Sequence, residues 1–87
     1  MSRVSVPEHV VARQLGDDCI VLDMATGTYF GLDAVGSRVW QLLTESSSIE
    51  QISERLVCEF DVTPQQAGAD LARLLDELTA NGLLTVE

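Results

Sequence analysis

The stretch Cys19–Asp33, CIVLDMATGTYFGLD, decides the fold. Cys19–Met24 is apolar and β-branched, and a period of two sets Ile20, Leu22 and Met24 on one face of a strand. Ala25-Thr26-Gly27 turns the chain, with Gly27 free to take a positive φ. Thr28–Leu32 then forms the next strand, with Phe30 and Leu32 on one face and Tyr29 and Gly31 on the other. Asp33 is a good helix N-cap, because its side-chain oxygen accepts from a free amide of the first turn.

Upstream, VVARQL (Val10–Leu15) is a shorter strand signal and GDD (Gly16–Asp18) a turn. Three strands joined by tight turns make an antiparallel meander, in which Thr28–Leu32 is the third strand. The first nine residues are polar, contain Pro7 and lack periodicity, so they are expected to be a flexible arm.

Downstream of Asp33 the pattern is helical. Val35, Val39, Leu42 and Leu43 recur at helical spacing beside Trp40, which reads as core. Ser48 caps a second helix with Gln51 three residues on, as in a capping box. Ile49, Ile52, Leu56 and Val57 form its stripe, continued by Phe60. Thr63 caps a third helix with Pro64 at its first position. Ala67, Leu71, Leu74, Leu75 and Leu78 face inward from it, and Asn81-Gly82-Leu83 ends it as a Schellman motif does. The fold class is α+β: a three-stranded antiparallel sheet followed by three helices packed on one of its faces.

The chain has 87 residues, 46% hydrophobic and 22% charged. This suits one domain (residues 1–87) near the small end for a core without staples. No apolar run approaches the ~20 residues that span a bilayer, and the N-terminus lacks an apolar signal-peptide core. A cytoplasmic protein is expected. Cys19 and Cys58 do not form a metal-binding pair with the one histidine, His9, and are expected to be two buried free thiols. The net charge is −9, with five arginines and no lysine. A phosphate backbone would be repelled, so no nucleic-acid partner is expected.

Nothing in the sequence points to catalysis. His9 has no nucleophile near it in sequence, the helical carboxylates fall on outer faces, and TGTYFG lacks the lysine of a phosphate loop. Neither enzyme activity nor a cofactor or metal is expected. Asp70 and Arg73, three apart, can pair on the surface. A small domain without chemistry binds something, and the meander leaves its third strand at an edge. That strand carries no Lys, no Pro and no charge, and Gly31 lets another backbone come close. Two readings stand at this point: a docking site for an added strand, or an edge covered by the arm, a helix or a second copy.

LDMATGTYFGLDAVGSRVWQLL, Leu22–Leu43, resembles the signature of the PqqD-like peptide-recognition domains. These include the pyrroloquinoline quinone synthesis protein D and the leader-binding proteins of lasso-peptide pathways. The resemblance rests on Thr26-Gly27, the pair Tyr29-Phe30 with Leu32, the small Gly36, Val39-Trp40 and Leu42-Leu43. Ile52, Leu56, Phe60, Val62 and Gly82-Leu83-Leu84 extend it, so that it covers Val10–Leu84. Asp33 departs from the more usual Asn, but both residues cap helices.

The resemblance implies a winged-helix-like fold and a role. Such domains bind the leader segment of a ribosomally made precursor peptide and deliver it to processing enzymes. The leader adds to the third strand, which implicates Thr28, Tyr29, Phe30, Gly31 and Leu32, and lies against the third helix. There the row Asp70, Leu74 and Glu77, with Ala67 and Leu71 beside it, would line the groove. Leu71 and Leu74 would be its floor. Asp70 or Glu77 would meet basic leader residues and Arg73 acidic ones. In a lasso-type pathway, the favoured setting, the further partners would be a leader peptidase and a cyclase. The alternative is a chaperone for a radical S-adenosylmethionine enzyme. A winged-helix DNA-binding regulator is disfavoured, because the third helix carries only Arg73 against Asp70, Asp76 and Glu77. A homodimer paired through the same edge strand is the remaining alternative.

Overall fold

The computed structural model describes residues 4–45 and 48–86. In chain order its elements are β1 (Val4–Ser5), β2 (Val10–Leu15), β3 (Asp18–Asp23), β4 (Tyr29–Leu32), α1 (Ala34–Thr44), α2 (Ile49–Glu59), α3 (Pro64–Ala80) and β5 (Thr85–Val86). The expected meander is the antiparallel sheet β2-β3-β4, with Val10 opposite Asp23 and Cys19 opposite Leu32. The strand read as third in the sequence is β4.

Part of the stretch expected to be an arm joins a second, two-stranded sheet. Val4 and Ser5 pair antiparallel with Val86 and Thr85, while residues 1–3 lie outside the described residues. A ladder this short has no period to read, and its partners sit at opposite ends of the sequence.

The β3–β4 turn is built on Asp23. Its carboxylate accepts from the amides of Ala25 and Thr26 at 2.9 and 3.4 Å. Its carbonyl accepts from Gly27, whose φ is +77°. This side chain is only 7% exposed. Burial alone would push its carboxyl up, but the two amides, the His9 imidazole and the Thr26 hydroxyl outweigh burial and hold it below the usual carboxylate range. The alternation read from the sequence holds in β3, and the turn shows which of its two faces is inward. Its core face is Cys19, Val21 and Asp23, whereas Ile20 and Leu22 are half-buried on the other face and Met24, past the strand end, is 63% exposed. Apolar residues occupy both alternating sets, so periodicity does not tell which set faces inward.

The helices begin where the sequence places them. Asp33, Ser48 and Thr63 each accept from the amide three residues on, and Gln51 closes the capping box on Ser48. α3 ends with Gly82 at φ +74°, with the Gly82 amide donating to Thr79 and the Leu83 amide to Leu78, the two bonds of a Schellman motif. α1 packs on β3 and α2, and α2 packs on α3. The core between them holds Val21, Val39, Trp40, Ile52, Leu56, Leu71, Leu78, Leu83 and Leu84. Two polar ties fix α1. Gln14 of β2 bonds buried Ser37 at 3.1 Å, and Arg38 donates to both carboxylate oxygens of Glu59 at 2.7 and 2.9 Å. Arg38 thereby holds the Glu59 carboxyl below its ordinary range.

The two cysteines differ. Cys19 is buried, and burial pushes its thiol up. Cys58 is exposed, against the expectation of two buried thiols. It lies on α2 beside the Ile52–Leu56 stripe, outside the core-facing arc.

Candidate functional site

Among the described residues β4 is a free edge of the three-stranded sheet. Its pairing phase follows from the Asp23 amide, which donates to the Thr28 carbonyl at 2.8 Å. Antiparallel strands alternate between hydrogen-bonded and open pairs. Counting along the register from Asp23–Thr28, the Phe30–Val21 and Leu32–Cys19 pairs are bonded inward. The amides and carbonyls of Tyr29 and Gly31 therefore point outward, away from β3. Of the stretch Thr28–Leu32, these two residues are the ones that offer a main chain to a partner. The Thr28 carbonyl is already engaged.

Beside that edge runs a groove of about 360 Å³ between β4, the start of α1, and α3. Phe30, Gly31 and Leu32 form one wall, and Ala67, Asp70, Leu71, Arg73, Leu74 and Glu77 form the other. Phe30 is half-buried and Leu32 buried, as their shared face requires. Leu71 is 2% exposed and makes the floor, whereas Leu74 is half-buried and reachable. The buried Ala67 presents only a methyl group. The site residues read from the sequence thus converge, apart from two side chains. Tyr29 is 72% exposed on the outer sheet face, and Thr28 is in the turn, where it accepts from the Thr26 hydroxyl.

The sequence reading missed the far end of the groove. Val35, Gly36 and Val39 of α1, Leu56 of α2, and Phe60 and Val62 beyond it also line it. Phe60 and Val62 carried a signal in the apolar residues that continue past the end of α2, but that signal reads as core. Gly36 has a packing role that sequence alone does not show. A Cβ placed there would lie 3.2 Å from Leu32 Cδ2 and 3.4 Å from Asp33 Oδ1. The small residue lets the first turn of α1 close on β4.

The groove's rim is polar. Asp33, Asp70 and Glu77 stand there with one cation, Arg73. Arg73 lies 3.9 Å from Asp70 and 3.5 Å from Glu77, in exposed pairs. Such pairs contribute ~0–1 kcal/mol, so a ligand can replace them at little cost. With its single arginine shared between two carboxylates, α3 has no basic face for a DNA groove. Among the described residues no cluster of His, Cys, Asp or Glu is placed to hold a metal ion, and no helix is long and apolar enough to cross a membrane.

Comparison with known proteins places this architecture. The family model described as Coenzyme PQQ synthesis protein D (PqqD) matches residues 18–84. Among solved structures, TbiB1 in complex with the TbiA(beta) leader peptide is similar with a TM-score of 0.86 and 39% identity, over 91% of this chain and 92% of that one. Lasso peptide synthetase B1 complexed with the leader peptide shares the fold with a TM-score of 0.88 at 23% identity, over 95% and 98% of the two chains. No curated protein gives a significant sequence match. The family match spans β3 through the end of α3 and the apolar pair after it, well over half of the sequence, and the chain belongs to the PqqD family.

Proposed function

We propose that this protein binds the leader segment of a ribosomally synthesised precursor peptide by strand addition to β4 and presents it to processing enzymes. The observation that carries this reading is the outward-facing main chain of Tyr29 and Gly31 directly beside an apolar groove. Main-chain hydrogen bonds to an added strand supply affinity, each ~0.5–1.5 kcal/mol net. Alternate leader side chains drop into the groove over Leu71 and Leu74 and against Phe30, and these give specificity. The side chains between them fall on the outer face beside Tyr29. At 39% identity, TbiB1 is a relative seen in complex with a leader peptide, which supports leader binding by this chain.

In this reading the protein does no chemistry and needs no cofactor. A lasso-type pathway is the favoured setting, with a leader peptidase and a cyclase as the enzymes served. The test is fluorescence polarisation with a labelled leader peptide from the precursor gene nearest this one. Saturable binding that Leu74→Asp weakens by more than about tenfold, or ~1.4 kcal/mol, is expected. Leu74 is the residue to change, because truncating fully buried Leu71 costs ~2–5 kcal/mol of stability, too much for a domain of this size to lose cleanly. Absence of binding at high micromolar protein contradicts the proposal.

A further inference from the structure

α3 has a second groove on its other flank. It lies between α2 and α3, measures about 790 Å³, and shares only Leu71 with the groove beside β4. Ile49, Val57 and Leu75 line it half-buried, and Pro64 and Ala72 line it exposed. Its charged side chains are all acidic: Glu50 and Glu54 on α2, Asp76 on α3. Among the described residues none of the three is in an ion pair. Glu50 and Glu54 are moreover four apart on one helix, where like charges repel. An apolar channel with walls of one sign calls for an occupant that is apolar on one face and cationic beside it.

The groove's walls also select the occupant's backbone. The two long walls are helices whose main chain is internally bonded, and the one strand residue in the lining is Val4 of the two-residue β1, so the groove offers little strand edge. A segment lying there must satisfy its own amides and carbonyls, which a helix does. Gly68 fits the same reading. A glycine in the body of a helix weakens it relative to alanine. A Cβ placed at Gly68 meets nothing within 4 Å, so no contact inside the chain calls for glycine there. A second helix laid along the channel would use that space.

We infer that the α2–α3 groove docks a cationic amphipathic helix of the enzyme that receives the peptide, while the β4 groove holds the leader. The identity of the partner as that enzyme rests on the delivery reading above; the chemistry of the groove does not. Leu71, buried, is the one residue that lines both grooves, so the two occupants would share no exposed side chain.

The test uses the full chain and a fluorescein-labelled amphipathic helix of Leu, Ala and Lys, with a Leu, Ala and Glu twin as control. Saturable micromolar binding of the cationic helix alone is expected. Glu54→Lys should weaken it by about tenfold or more. Asp17→Lys, the same charge change on the β2–β3 turn, should alter it by less than about twofold. Gly68→Ala should raise Tm yet weaken helix binding severalfold, which separates docking from folding. Alkylation of Cys58, which lines the channel and is exposed, should slow when the helix is bound. Equal weakening by Asp17→Lys and Glu54→Lys would reduce the effect to net charge and overturn the proposal. So would self-association of the free chain that Glu54→Lys abolishes, since the face would then belong to a second copy. Leader binding, measured in parallel, should not respond to Glu54→Lys or Gly68→Ala. Loss of helix binding with leader binding intact overturns the groove alone. The reverse result overturns the delivery reading and leaves the groove standing.

Discussion

The sheet has two edges, and they are built differently. β2 is six residues long, carries the exposed Arg13, and no residue of it lines either groove. β4 is four residues long, uncharged, and flanks an apolar groove floored by Leu71. Both present unbonded main chain. A charge on an edge discourages pairing, and an edge without pockets gives an added strand nothing to recognise. The contrast teaches that an open edge becomes a docking site only when a second element supplies side-chain pockets beside it. Here α3 lines such a groove beside β4, and no such groove borders β2.

Matched proline substitutions give the largest expected effect and break the comparison most directly. Gly31→Pro removes an outward amide from β4 and puts a ring in the path of an incoming strand. Ala12→Pro does the same on β2, where the register phase set by the Met24 amide donating to the His9 carbonyl turns the Ala12 amide outward. Leader affinity should fall by roughly a hundredfold in the first, ~2–3 kcal/mol from a lost bond plus the steric block, and hold in the second. Equal losses would mean that the edges are not distinguished in the way described. Circular dichroism should show both variants folded.

Next in size is the turn that sets up β4. The Asp23 carboxyl is held below its ordinary range in the folded state, so its contribution is complete at neutral pH. That contribution is lost only as the pH falls below the usual carboxylate value of about 4. Thermal melts should show Tm steady from neutrality down to that range and then dropping. Asp23→Asn should lower Tm at neutral pH and flatten the acid limb. The smallest effect is expected at Arg73. Its exposed pairs with Asp70 and Glu77 are weak, so Arg73→Ala should change leader affinity by only about two- to threefold, with a modest salt dependence. A tenfold loss would move the recognition of the leader from the apolar floor to the rim.

Much of this was legible in the sequence because local chemistry and global fold agree. Asp33, Ser48 and Thr63 cap the helices that they announce, and the alternation of Tyr29-Phe30-Gly31-Leu32 sorts inside from outside. The pairing of Leu71 and Leu74 with β4 came from the family resemblance and not from periodicity. What escaped did so for physical reasons. The inward face of β3 ends in a carboxylate, and polarity disguises Asp23 until its bonds to Ala25 and Thr26 are seen. The β1–β5 ladder joins two-residue strands across nearly the whole chain. Gly36 reads as a small residue in a helix, yet its role is the close approach of Leu32. Phe60 and Val62 read as core because an apolar residue facing a groove and one facing the interior leave the same trace in a sequence.

In the proposed binding mode the leader adds to β4 through Tyr29 and Gly31. Amide hydrogen exchange followed residue by residue by NMR, with and without saturating leader, tests it most directly. In the free protein the Phe30 and Leu32 amides should be protected and those of Tyr29 and Gly31 open. On binding, the Tyr29 and Gly31 amides should become protected while β2 stays unchanged. Saturated binding that leaves Tyr29 and Gly31 exchanging freely would contradict strand addition.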